Sequence, residues 1–219
     1  MHMIQESQFS ACPATARGGL LICGMNWGGS ANEAERGIET ESAPCAPYFS
    51  HPENYSFGFQ APLITWFGLW GFGLSHETPT QLDRAMAQTN IFFDQSPRFV
   101  NTPEKDKWIF GLTRLAETIE QMDCSGILLV STRVVDWIIR LSANGEIPKW
   151  NQVVGKQEWD TPRYHRLNLR FGRNGLRLIA GVSHPSSGVA HGDVEAAATE
   201  MRSWINEVLG MHETKNYFP

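Results

Sequence analysis

The chain has 219 residues, a net charge of −5 and 42% hydrophobic residues, a length and balance suited to one globular domain with a sizeable core. The acidic total argues against a surface that is basic overall, and no stretch approaches the roughly 20 apolar residues that span a bilayer. The four cysteines, Cys12, Cys23, Cys45 and Cys124, form no C-x-x-C pair, which speaks against zinc, an iron–sulfur cluster or a disulfide framework and for a reducing compartment.

Residues 1–19, with Pro13 and Gly18-Gly19, predict an irregular arm. The first apolar run, Leu20 to Cys23, is too short and too late for a signal peptide. It reads as a central strand covered on both faces. It runs into Gly24-Met25-Asn26-Trp27-Gly28-Gly29-Ser30, where glycines permit tight turns and close backbone approach to a ligand. No lysine follows them, so a nucleotide phosphate loop is excluded. Residues 31–60 form a long connection rich in Glu, Pro and aromatics, of a length expected to be either functional or partly disordered. Ala61 to Gly73 predicts a buried helix, weakened by Gly68 and Gly71. A short helix starting at Thr78 or Thr80 is expected to reach Gln88.

Asn90 to Asp94 predicts a second strand, ending in the polar loop Asp94-Gln95-Ser96-Pro97. Thr102, with Pro103 at the first helical position, opens a long amphipathic helix to about Met122. Gly126 to Ser131 is a third buried strand, leading to Thr132 and Arg133. Thr132 to Ala143 is helical and closes near Asn144-Gly145. Arg166 to Phe171 alternates as a strand, and Asn174-Gly175 signals a hairpin. Leu176 to Val182 is the last strand, stopped by Pro185 after His184. Asp193 is expected to cap a final helix to Leu209, and residues 211–219 a loose tail.

Strands alternating with helices predict a three-layer α/β/α sandwich around a central, mostly parallel four-stranded sheet, over residues 20–210. Three loops then meet at the C-terminal ends of strands, where such folds bind ligands. They carry Asn26, Asp94, and His184 with Ser186. Taken alone, His184-Pro185-Ser186 is also an ordinary turn, and Asn26 an ordinary turn residue. Lys149, Lys156, Arg163, Arg166, Arg170, Arg173 and Arg177 form a local basic run. It suits either phosphate contact or a solvated face.

Gly24-Met25-Asn26-Trp27-Gly28 and His184-Pro185-Ser186-Ser187, each after an apolar strand and in this order, resemble the two signature motifs of the uracil-DNA glycosylase superfamily. The likeness covers roughly residues 20–210. It implies a monofunctional DNA glycosylase of base excision repair, which flips uracil or another deaminated base out of the stack and hydrolyses its N-glycosidic bond. By resemblance, His184 is the donor to the departing base, and Asn26 positions the attacking water. An Asn amide orients water but cannot act as a charged base. Gly24 and Met25 would line the base pocket. Phe49, within Tyr48-Phe49-Ser50, would be the stacking platform, with Phe57 and Phe59 as rivals. Ser186 and Ser187 would hold phosphate. Gly188, Val189 and His191 would lie in the loop that wedges the duplex, with Val189 replacing the side chain Gly188 lacks.

Two departures stand out. Trp27 replaces the usual proline. Asp94 aligns with the asparagine that reads the base edge; ionised, it only accepts hydrogen bonds, which suits an amino-bearing base edge unless burial keeps it protonated. Asn90 is the alternative reader, expected at the wrong end of its strand. No metal or organic cofactor is implied, and the expected partner is damaged DNA bound by a monomer away from membranes, in the cytoplasm or, in a eukaryote, the nucleus. Two other readings stay open: a non-catalytic nucleic-acid or modified-base binder of the same fold, and a hydrolase using Ser186 or Ser187 with His191. The latter lacks the Gly-x-Ser-x-Gly elbow.

Overall fold

Seven strands form one mixed sheet in the computed structural model, which describes residues 9–11, 16–26, 46–52, 60–75, 77–92 and 104–215, with the backbone alone at 9–11, 26 and 186. The strands are β1 (Phe9–Ala11), β2 (Leu20–Asn26), β3 (Met86–Phe92), β4 (Gly126–Val130), β5 (Glu158–Asp160), β6 (Leu169–Arg173) and β7 (Leu178–Val182). Their order is β1-β3-β2-β4-β7-β6-β5. The sheet thus has more strands than the four expected; its parallel centre is β3-β2-β4-β7. Antiparallel strands extend it on both sides: β1 beside β3, and β6 and β5 beyond β7.

The central strands β4 and β7 are continuous apolar runs because both faces are covered, whereas β3 buries Gln88, Thr89 and Asn90. Every residue of β3 and of β4 is buried. The described helices are α1 (Gln60–Leu69), α2 (Gln81–Arg84), α3 (Lys105–Met122), α4 (Thr132–Ala143), α5 (Pro148–Val154), α6 (His191–Ala196) and α7 (Ala198–Thr214). Leu21, Cys23, Ile127, Leu129 and Ile179 pack on one face with α3, α4 and α5. Leu20, Ile22, Leu128, Val130, Ala180 and Val182 pack on the other with α1, α6 and α7. The alternation along each strand sends odd and even residues to opposite layers.

Several boundaries differ from the sequence reading, each for a local reason. The N-terminal arm contributes β1, whose Phe9 and Ala11 pair with Thr89 and Gln88. Helix α1 stops at Leu69, and Gly71 turns the chain with a positive φ of 93°. The short helix ends at Arg84 rather than Gln88, because Thr80 and Asp83 close a capping box around a single turn and β3 begins at Met86. Thr102 and Pro103 lie outside the described residues; α3 starts at Lys105. Asp193 does not cap a helix: α6 starts at His191 after Ala190, which places Asp193 within its first turn. The tail is not loose at 211, since α7 continues to Thr214 and Lys215 Nζ donates to the carbonyl of Asp123 at 2.7 Å. Helix α5, started by Pro148, and strand β5 were not foreseen.

The predicted hairpin is present. Asn174 adopts the left-handed region at φ 61°, and β6 pairs with β7 from Leu169–Val182 to Gly172–Ile179. A Cβ on Gly175 would lie 1.5 Å from Gln157 Nε2 and 2.7 Å from the Val154 carbonyl oxygen. Only glycine fits there.

Candidate functional site

The first parallel strand, β2, lies between the second, β3, and the third, β4. Chain direction across the sheet thus reverses at β2, and the crevice outside the C-terminal ends of the strands there is where open α/β sheets bind ligands. The residues at that edge are Gly24, Met25 and Asn26 of β2, Asn90 to Phe92 of β3, Ser131 after β4, and His184 after β7.

Gly24 is buried, and β2 runs on through it rather than stopping at Cys23. In parallel register, Gly24 faces Asn90 and Asn26 faces Phe92. The backbone of Asn26 therefore ends the strand at the crevice. Met25 is half-buried and packs on the layer of α3 to α5. The neighbouring Cys23 is inert: burial drives its thiol far above the ordinary range, and its Sγ donates to the Gly24 carbonyl at 3.4 Å.

His184 follows β7 across one intervening strand from Asn26. Burial of its half-exposed ring lowers its pKa below the ordinary histidine value. The imidazole is thus held neutral near pH 7, with one N–H to donate. Pro185–Ser187 form one 3₁₀ turn after it. The Ser187 N–H and hydroxyl both donate to the His184 carbonyl, at 2.9 and 2.5 Å. That turn fixes the backbone that carries the imidazole. It also commits the Ser187 proton to a carbonyl rather than to a histidine base, contrary to the hydrolase reading. Of Ser186 only the backbone, within the turn, is described.

Gly188 is exposed at φ 74°, with open space where a Cβ would stand. Val189 is half-buried against the α1, α6 and α7 layer. It does not project as a wedge, which corrects the expectation that it replaces the missing side chain of Gly188. His191 is exposed at the start of α6.

Phe49 also differs from expectation. It is fully buried and meets the Phe67 ring edge-on at 6.1 Å. The Ser50 N–H donates to Asp83 Oδ1 at 3.1 Å, and Asp83 belongs to α2, which precedes β3 and so lies towards the opposite end of the sheet from His184. Phe49 is a core side chain with no accessible ring face. Its rivals Phe57 and Phe59, like Asp94, lie outside the described residues.

The residue that sequence reasoning misplaced is Asn90. It is the fifth of seven residues in β3, beside Gly24 at the crevice end. It is only 3% exposed, and its Oδ1 has no hydrogen-bond partner among the described residues. Buried side-chain carbonyls without partners are rare and costly. The available signal was three consecutive polar residues, Gln88-Thr89-Asn90, all buried in one strand.

No group of three or more His, Cys, Asp or Glu with metal-binding geometry occurs among the described residues, and no described helix is long and apolar enough to cross a membrane. Compared with known proteins, the sequence matches no family model and no curated protein.

Proposed function

We propose that this chain is a DNA glycosylase that hydrolyses the N-glycosidic bond of uracil or another deaminated base, as the resemblance to the uracil-DNA glycosylase superfamily implies. The observation that carries the reading is a neutral, partly buried His184 at the same edge of the parallel sheet as the Gly24–Asn26 strand end. Cleavage builds positive charge on the sugar and negative charge on the departing base. A pre-aimed neutral N–H of His184 stabilises that base anion without first losing a proton to it. One such donor typically contributes about 10²–10³ in rate. Asn26 orients the water that attacks the sugar carbon. The C–N bond breaks with its electron pair leaving on the base, water forms the new C–O bond, and the water's proton passes to solvent.

Asn90 is the better candidate for reading the base edge. Its amide offers both an acceptor and a donor, as the N3–H and O4 of uracil require. A base N–H would satisfy the buried Oδ1, which has no partner among the described residues. This assignment removes the need for Asp94 to accommodate uracil.

The test is strand scission by alkali after incubation with labelled oligonucleotides containing uracil, hypoxanthine or xanthine. Release of uracil by the wild type, reduced at least a hundredfold in His184→Ala but retained in Ser187→Ala, is the expected result. Binding of these oligonucleotides without release of any base would reject the enzyme and favour the non-catalytic reading, which the absence of an ionisable group at Asn26 makes chemically reasonable.

A further inference from the structure

The basic run noticed in the sequence is not one surface. Lys149 Nζ is paired with Glu120 Oε2 at 2.5 Å, Arg170 Nη1 with Asp136 Oδ1 at 2.7 Å, and Arg177 Nη2 with Asp123 Oδ1 at 3.1 Å. Arg173 lies at the far end of β6, its guanidinium 6.0 Å from the centre of the Phe171 ring. Lys156 is exposed just before β5, towards the Arg173 end of β6. Among the described residues, the other unpaired stretch of the run is the loop 161–168, Thr-Pro-Arg-Tyr-His-Arg-Leu-Asn, which contains Arg163, His165 and Arg166 and no acid.

The topology brings this loop to the candidate site. Because β6 runs antiparallel to β7, its first residue, Leu169, pairs with Val182, the last of β7. The loop that enters β6 therefore stands at the same edge as His184. Two hydrogen bonds clamp it there: the Ser183 N–H donates to the Asn168 carbonyl at 2.9 Å, and the Asn168 N–H donates to Ser183 Oγ at 2.8 Å. Arg163 closes the loop through a bridge to Asn168. Side chains alternate within it. Tyr164 and Leu167 turn inward to the core layer, and burial, reinforced by a hydrogen bond to Glu200, pushes the Tyr164 phenol up to about 12. Arg163, His165 and Arg166 are exposed, with no carboxylate in ion-pair contact among the described residues. The acids nearest along the chain are Asp160, on the outer strand β5, and Asp193, in α6.

We propose that loop 161–168 grips the phosphate backbone of the nucleic acid that enters the site at His184, with Arg163 and Arg166 as its two contacts. The antiparallel extension β5–β6 would then be a strap that carries this grip to the edge of the parallel sheet. Guanidinium groups suit the task, since each presents a planar fork of donors that matches phosphate oxygens. A rigid loop also spends less entropy on binding than a floppy basic tail. The choice of nucleic acid as partner rests on the glycosylase reading; the location and charge of the loop do not.

The experiment is fluorescence anisotropy with labelled duplex and single-stranded oligonucleotides lacking any damaged base, across a salt series. Wild type is compared with the double variant Arg163→Gln/Arg166→Gln and with Arg173→Gln at the far end of β6. The double variant should bind about tenfold more weakly, with the slope of log affinity against log salt reduced by about 1.8 on duplex and about 1.4 on single strands. Arg173→Gln should match the wild type. An unchanged slope in the double variant, or no measurable binding by the wild type, overturns the grip. A base-release assay on the same preparations separates the two readings. Base release with an unchanged slope leaves the enzyme standing without the grip, and a reduced slope without base release leaves the grip without the enzyme.

Discussion

His184 leaves water when β7 delivers it to the crevice, and the energetic consequence has a definite sign. Its folded pKa lies below the ordinary value of 6.5 because burial disfavours the imidazolium. Above that value both folded and unfolded forms are neutral and the residue contributes no pH dependence. As pH falls through it, the unfolded chain takes up a proton that the folded one resists, so stability declines and then levels off below the folded pKa. An NMR titration should place the His184 ring midpoint under about 6.5, and His184→Gln should lose less stability than wild type between pH 7 and 5. Asn90 makes the complementary case. A buried carbonyl without a donor costs about 1–3 kcal/mol. Asn90→Leu, with the same branching but bulkier methyl groups, should therefore melt at or above the wild-type temperature while releasing uracil at least a hundredfold more slowly. A variant that is both less stable and fully active would show that Asn90 serves the core and not the base.

Helix α2 shows how a four-residue element can organise much more than its length. Thr80 Oγ1 accepts from the Asp83 N–H at 3.2 Å, and Asp83 Oδ2 accepts from the Thr80 N–H at 3.0 Å. The other oxygen of the same carboxylate accepts from the Ser50 N–H, which ties the 46–52 segment to the sheet. Thr80→Ala removes one half of a cap and should cost about 1 kcal/mol. Asp83→Ala strands the donors of both Thr80 and Ser50 and should cost about 3 kcal/mol. Urea unfolding reads the difference as the shift of the midpoint. At this scale the hydrophobic pattern is a good guide to interiors and a poor one to ends. Thr132–Ala143 occurs as read, because its apolar residues repeat at helical spacing and Asn144-Gly145 stops it. The β3 boundary was misread because Met86 to Gln88 looks like the end of a helix, yet the capping box spends itself on a single turn.

Across the whole molecule, the end of the sheet away from the crevice is closed by one carboxylate. Asp123, in the left-handed conformation that terminates α3, faces Arg177 of the β6–β7 hairpin at 3.1 Å and Lys215 after α7 at 3.2 Å. It thereby joins three elements far apart in sequence. Asn tolerates the same backbone, so Asp123→Asn isolates the charge. The substitution should lower stability by about 1 kcal/mol, with the loss shrinking in high salt, as expected for partly exposed pairs.

By itself the sequence determined the alternation of strands and helices, the buried character of β2 and β4, the hairpin at Asn174-Gly175, and the position of His184 just after a strand. These are local properties, set by hydrophobic period, by glycine and proline, and by turn chemistry. Only the tertiary structure decided what depends on pairing across distance. The register of β2 with β3 moved Asn90 to the crevice, and the packing of Phe67 took Phe49 into the core. The antiparallel return of β6 put the loop that carries Arg163 and Arg166 at the same edge of the sheet as His184. Strand register and layer packing are long-range choices, and no window of sequence a few residues wide contains both partners.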